Sequence, residues 1–174
     1  MTPSCEASDN LILTSPTTAS NNLIEILTYC QNFNRMKSAA KIDTINQAIS
    51  GCLYTAILGT ETSWDASILS EEVFSSNFNV FRNDRNLLSS GKKSGGGVLV
   101  AIKADFDSEK LDSDVFAHFE HVWVKAQIAK ETHIFASVYF PPLSPLSSYE
   151  DFFRNAEKII SSLDPESKIH LFGR

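Results

Sequence analysis

The sequence predicts an α/β fold: the first part of a sandwich in which two β-sheets pack face to face and helices lie outside them. Three observations carry this expectation. Ala56-Ile57-Leu58 is a short apolar run that suits a strand buried on both faces, and a helix separates it from an earlier apolar strand. The runs 122–128 and 132–140 are split by a tight polar break, as in a hairpin. A helix over 148–163 with one apolar face leads into another apolar strand, 168–172, and each such face needs a layer to cover it.

Taken in order, residues 1–21 are rich in Ser, Thr, Asn and Pro, lack periodicity and read as a disordered leader. Leu23–Tyr29 reads as the first strand and runs into the polar stretch Cys30-Gln31-Asn32. In 38–50, Ala39, Ile42, Ile45 and Ile49 recur at helical steps, and Gly51 is a fitting stop. The strand of Ala56-Ile57-Leu58 follows, which makes a βαβ-like unit. If its strands are parallel, Asn32 and Glu61 share one edge of the sheet. Phe78–Arg82 alternates as a short strand. Gly95-Gly96-Gly97 then opens Val98–Lys103, the clearest strand in the chain. The triple glycine lacks the Gly-Lys-Ser/Thr ending of a phosphate loop and precedes a strand, so it predicts close backbone approach or a bulge. Residues 105–114 read as a solvated charged loop. Val122, Val124, Ala126 and Ile128 share one face of a strand, Lys130-Glu131 breaks it, and Pro141-Pro142 ends the returning strand. In the last helix Ser148 is the expected N-cap, and Phe152, Phe153, Ala156, Ile159, Ile160 and Leu163 the apolar face.

Composition narrows the function. The 174 residues carry a net charge of −6, which argues against broad electrostatic binding of nucleic acid but leaves room for a small basic patch around Arg82, Arg85, Lys92 and Lys93. The three cysteines, Cys5, Cys30 and Cys52, include no Cys-x-x-Cys pair, so neither a disulfide framework nor a zinc knuckle is expected. His118 and His121 lack a third ligand nearby, and no metal site is expected there. With no signal-peptide core and no membrane-length apolar run, an intracellular protein is expected.

Glu61 is the residue with the most chemical promise. It stands just past a buried strand, where α/β sheets collect their chemistry, and a carboxylate there can hold a hard cation such as Mg²⁺. Taken alone, Glu61 reads rather as a polar loop residue, and Asn32 as a turn residue.

The set Tyr29-x-x-Asn32, Thr60-Glu61-Thr62, Phe81-Arg82-x-Asp84-Arg85, Gly95-Gly96-Gly97 running into Val98–Lys103, and Ser137-Val138-Tyr139-x-Pro141-Pro142 occurs in this order. It resembles the endonuclease/exonuclease/phosphatase superfamily, which shares its fold with deoxyribonuclease I and the abasic-site endonucleases. Within that superfamily it is most similar to the endonuclease domain of non-LTR (LINE-type) retrotransposons. The resemblance runs from about Leu23 to Arg174. It implies a four-layer α/β sandwich, with 22–174 as roughly its first half. It also implies a Mg²⁺-dependent endonuclease that nicks DNA to prime reverse transcription in the nucleus, with the rest of the retrotransposon polyprotein as a partner. Glu61 would be the Mg²⁺ ligand, Asn32 would help hold the metal or the attacking water, and Tyr139 would contact the scissile phosphate. Arg82, Arg85, Lys92 and Lys93 would face DNA.

One departure matters. His170-Leu171-Phe172-Gly173 reaches the glycine of the family's Gly-Asp-Phe-Asn motif, and Arg174 then stands where the family has its catalytic Asp. The Asn of that motif and the closing Ser-Asp-His motif are absent, so the 174 residues are expected to form an inactive part of such a nuclease. Two other readings stay open: a phosphoesterase of the same superfamily acting on lipid or sugar phosphates, and a non-catalytic interaction module.

Overall fold

The computed structural model describes residues 11–13, 25–51, 53–85, 95–111 and 119–174. Strands β1 (Leu11–Leu13), β2 (Leu27–Asn32), β3 (Ala56–Thr60), β4 (Phe78–Asn83) and β5 (Val98–Lys103) form a sheet in the order β1-β2-β3-β5-β4. Strands β6 (Ser108–Lys110), β7 (Glu120–Ile128), β8 (Glu131–Tyr139) and β9 (Lys168–Gly173) form a second sheet in sequential order. Helices α1 (Ala39–Ile49) and α2 (Ser70–Phe74) cover the first sheet, and α3 (Leu146–Ser162) covers the second. None of the described helices is long and apolar enough to cross a membrane.

The layers follow from side-chain parity. Ala56, Leu58, Val98, Val100 and Ile102 point from the first sheet into the space between the sheets and meet Val122, Val124, Ala126, Ile128 and Phe135 of the second. Their neighbours Ile57, Leu99 and Ala101 point the other way, against Ile45 and Ile49 of α1 and Val73 and Phe74 of α2. On the far side, Trp123, Ile134, Ala136 and Val138 pack against Phe152 and Ala156 of α3. The central strands are thus buried on both faces, which is why they read as continuous apolar runs. Each fully buried Leu or Ile here contributes about 1.5–3 kcal/mol of transfer free energy. Ser137 Oγ crosses between the sheets and donates to Leu99 O at 2.8 Å.

Several boundaries differ from expectation, each for a local reason. Leu11–Leu13, expected within a disordered leader, pairs antiparallel with β2, whose free edge would otherwise be unsatisfied. The first described central strand starts at Leu27 and runs through Asn32, so the polar amides end the strand instead of following it. Part of the charged loop, Ser108–Lys110, forms β6 by pairing with β7. The hairpin turns one residue earlier than expected, at Ala129 and Lys130, both at positive φ (53° and 70°), as a two-residue type I′ turn requires. Helix α3 begins at Leu146, directly after Pro145, and has no side-chain cap, so Ser148 lies inside the first turn. Its apolar stripe is narrower than the pattern suggests. Phe152 and Ala156 are buried, but Phe153 is 61% exposed and Ile160 41%, because the stripe packed on the sheet runs through Phe152, Ala156, Ile159 and Leu163 and leaves those two beside it. Ser38, read as part of α1, caps it instead, while Gly51 follows the helix at φ +84° and free Cys30 is a buried core residue, both as expected. Cys5, Cys52, Lys92, Lys93 and His118 lie outside the described residues.

β9 is tied to β8 by more than the parallel ladder. His133 Nδ1 and His170 Nε2 lie 3.0 Å apart, one donating and one accepting, and His170 stacks on Phe135. Burial pushes both imidazoles down, against the pull of Glu131 on His133, and His170 falls to about 4. Both folded values lie below the ordinary 6.5, so between the two the unfolded chain binds more protons than the folded one. This contribution to stability is complete above the unfolded value and is lost as the pH falls toward 4. Urea midpoints should therefore drop as the pH falls from 6.5 to 4. In His170→Phe, which keeps the stack on Phe135, that drop should be clearly smaller; an unchanged slope would remove the histidine pair as its cause.

Candidate active site

One edge of the sandwich gathers the polar residues, and strand direction is the reason. β2 and β3 are parallel, with Asn32 opposite Thr60, so both strands end at this edge. β4 and β8 also end there, while β5 and β7 begin there, with Asn83 opposite Val98 and Glu120 opposite Tyr139.

Past β3 the chain enters Glu61-Thr62-Ser63, which is clamped from two sides by backbone hydrogen bonds. Arg35 N donates to Glu61 O and Met36 N to Thr62 O, each at 2.9 Å; Ser63 N donates to Gly96 O at 2.6 Å and Thr62 N to Gly97 O at 3.3 Å. Glu61 (φ 54°) and Ser63 (φ 56°) both occupy the left-handed region. Such residues cost about 1–3 kcal/mol each and persist only where the surroundings over-determine them, as the clamp does here.

The sequence-predicted residues Asn32, Glu61 and Tyr139 are brought together. Asn32 Nδ2 donates to Glu61 Oε1 at 3.0 Å, and Asn32 Oδ1 accepts from Asn34 N at 2.9 Å. Glu61 keeps 23% of its side chain exposed, and Arg174 Nη1 approaches Glu61 Oε1 to 3.8 Å. The Tyr139 hydroxyl is pushed up from its ordinary value, first by burial and then by the neighbouring Glu61 carboxylate, with Arg85 opposing. It is therefore a neutral hydrogen-bond donor at physiological pH.

The Asn32 amide N–H faces the Glu61 carboxylate, and one lone pair of its oxygen is taken by Asn34 N. Among the described residues no group of three or more His, Cys, Asp or Glu side chains could hold a metal. The site thus offers a partly exposed carboxylate already oriented by an amide. That suits Mg²⁺, which commonly takes one or two protein carboxylates and completes its shell with water and phosphate oxygens.

The expected basic patch is not formed by Arg82 and Arg85, and the reason is internal pairing. Arg82 forks onto Asp84, donates to Ile68 O at 2.6 Å and Asp65 O at 2.7 Å, and lies over the Trp64 ring. Arg85 is paired with Glu120, their side chains only 7% and 6% exposed. Glu120 was missed by the motif reading. The signal was available: it lies in phase with Val122, Val124, Ala126 and Ile128, so its side chain had to point between the sheets. The glycines do provide the expected close approach. A Cβ on Gly96 (φ +64°) would run into Glu120 and Arg85, and one on Gly97 (φ +85°) into Thr62 Oγ1 at 2.5 Å.

The fold and this edge define the chain's class: it has the endonuclease/exonuclease/phosphatase, or deoxyribonuclease-I-like, fold. No family model and no curated protein sequence matches the chain. Among solved structures, the endonuclease domain of TRAS1, a telomere-specific non-LTR retrotransposon, is similar at a TM-score of 0.54 and 19% identity, over 84% of this chain and 57% of that one. An AP endonuclease from Archaeoglobus fulgidus is similar at 0.55 and 18%, over 84% and 55%. A mannosyl-6-phosphatase from Bacteroides thetaiotaomicron is similar at 0.62 and 12%, over 85% and 64%. The chain therefore spans less than two thirds of each of these structures, and at such identities the likeness establishes the fold.

Two glycines separate strain from collision. Gly51 has positive φ but open space around it, whereas Gly96 has positive φ and an ion pair in the way. Gly51→Ala should cost about 1–2 kcal/mol, the left-handed penalty alone. Gly96→Ala should cost about 2–4 kcal/mol, because a buried pair is disturbed as well. Denaturant midpoints of the two variants check this; equal losses would mean the Gly96 loop shifts freely.

Proposed function

We propose that this edge is the active site, in part or whole, of a divalent-metal-dependent phosphodiester hydrolase of the DNA-nicking, retrotransposon-endonuclease kind. The observation that carries the reading is the Asn32–Glu61 hydrogen bond beside Tyr139, at the strand-end edge. Glu61 would hold Mg²⁺, which when bound supplies Lewis-acid polarisation and charge compensation at a phosphoryl oxygen. Asn32 keeps the carboxylate turned outward. Tyr139, held neutral, donates a hydrogen bond to a phosphate oxygen, where negative charge grows as the P–O bond breaks.

The choice of DNA rests on the five motifs in retrotransposon order and is supported by the likeness to the TRAS1 domain and the AP endonuclease. The fold does not choose the substrate by itself, since a mannosyl-6-phosphatase shares it. On this reading the protein acts in the nucleus, within a polyprotein that also carries a reverse transcriptase. Arg174 brings a guanidinium to Glu61 where the resemblance expects a carboxylate. The 174-residue chain is therefore expected to bind metal weakly and to leave DNA intact.

Two measurements test this. Mn²⁺ titration followed by electron paramagnetic resonance should give binding that falls at least about tenfold in Glu61→Gln; identical binding by both proteins removes the metal assignment. Supercoiled plasmid with Mg²⁺ should stay supercoiled, and nicking that disappears in Glu61→Gln would overturn the inactivity while strengthening the nuclease assignment.

A further inference from the structure

We propose that Arg85 is a positioning residue for Tyr139, locked in place by Glu120, and that this pair joins the two sheets at the active edge; the proposal deepens the functional reading above and rests on it for its catalytic meaning. Glu120 belongs to β7 and lies directly opposite Tyr139 of β8, so the two side chains share a face. Arg85 comes from the other sheet, just beyond β4. Its Nε donates to Glu120 Oε1, and the other carboxylate oxygen, Oε2, accepts from Gly97 N at 2.6 Å. Both oxygens of Glu120 are therefore engaged, one by each part of the first sheet's rim. With its Nε held, the guanidinium lies over the Tyr139 ring, Cζ 5.5 Å from the ring centroid, a favourable cation–π placement that is strongest away from water.

Stability alone does not account for this pair. Removing two charges from water costs several kcal/mol per ion, and packed apolar residues of similar volume commonly do as well or better. Among the described residues, Arg85 Nη2 is also buried without a hydrogen-bond partner, a further cost. What the pair does supply is direction. It fixes the Tyr139 ring from one side, at the edge where the Glu61 carboxylate is near enough to push the hydroxyl up. It also ties Gly97, and through Gly96 and Gly97 the backbone of Thr62 and Ser63, to the second sheet. The bare Gly96 then has a specific reason: a side chain there would occupy the space of the guanidinium and carboxylate.

The test uses the full 174-residue chain with labelled tyrosine rings, the Tyr139 signal being assigned by Tyr139→Phe. The readout is the nuclear Overhauser contact between the Tyr139 ring and the Glu61 side chain, with Mn²⁺ affinity measured alongside. Arg85→Met combined with Glu120→Leu removes both charges together. It should leave the Tyr29, Tyr54 and Tyr149 signals in place, abolish the Tyr139–Glu61 contact, and lower Mn²⁺ affinity about tenfold, the usual effect of losing a group that orients a ligand. If the double variant does not fold, Glu120→Gln serves instead, since it keeps an acceptor for Gly97 N–H and loses only the ion pair. It should weaken the same contact, and Arg85→Lys, which keeps a cation beside the ring, should restore more of it than Arg85→Met alone. A folded variant that keeps the Tyr139–Glu61 contact overturns the proposal. If the contact is lost as expected but the unmodified chain binds no Mn²⁺, the positioning role stands and the metal reading fails.

Discussion

The in-register parallel pairing of β2 with β3 is the constraint on which the candidate site depends. Because Asn32 lies opposite Thr60, the next residue, Glu61, emerges within hydrogen-bonding reach of the Asn32 amide. A slip of one residue would turn every side chain of one strand to the opposite face. That slip would send Leu58 toward the helices and Ile57 between the sheets, against two finished cores. The apolar parity of the strands therefore guards the geometry of a polar contact that contributes little to stability itself.

The middle of the sandwich and its polar edge are built by different physics. The middle is apolar and close-packed, with alternate residues committed to opposite layers. The candidate site edge is held by directional bonds: four backbone hydrogen bonds across the Glu61 loop, a buried ion pair, and left-handed backbone at Glu61, Ser63, Gly96 and Gly97. Such an arrangement is expensive to build and hard to deform, which is what fixed placement of reacting groups requires. It also explains why Arg82 and Arg85 are drawn inward. Carboxylates and carbonyls at the loop ends need donors, and a guanidinium offers five in a rigid plane.

Much of the fold was legible because burial on both faces leaves a plain mark. Val98–Lys103, Val122–Ile128 and the helix after Gln31-Asn32-Phe33 read correctly from spacing alone. The readings that failed were those decided by distant partners. Ser108–Lys110 is a strand only because β7 lies beside it, and Leu11–Leu13 only because β2 does. Phe153 and Ile160 match the helical period yet remain exposed, since what the sheet can cover is set by how α3 lies across it. At the site, Asn32, Glu61 and Tyr139 could be named from motifs, while Glu120 escaped notice because a single acid at a strand start carries no motif, only a phase.

The layers, the strand that stops just before Glu61, and the glycines that let backbones meet can all be read in the sequence, because hydrophobic period and conformational permission are local properties. Only the tertiary structure decided which charges face solvent and which are paired inside. Arg82 and Arg85 look alike in sequence to cations that would meet DNA, yet their partners Asp84 and Glu120 and the rings of Trp64 and Tyr139 hold them within the protein. The physical reason is that the free energy of a charge depends on the polarity and partners of its surroundings, and those surroundings are assembled from strands far apart in the chain.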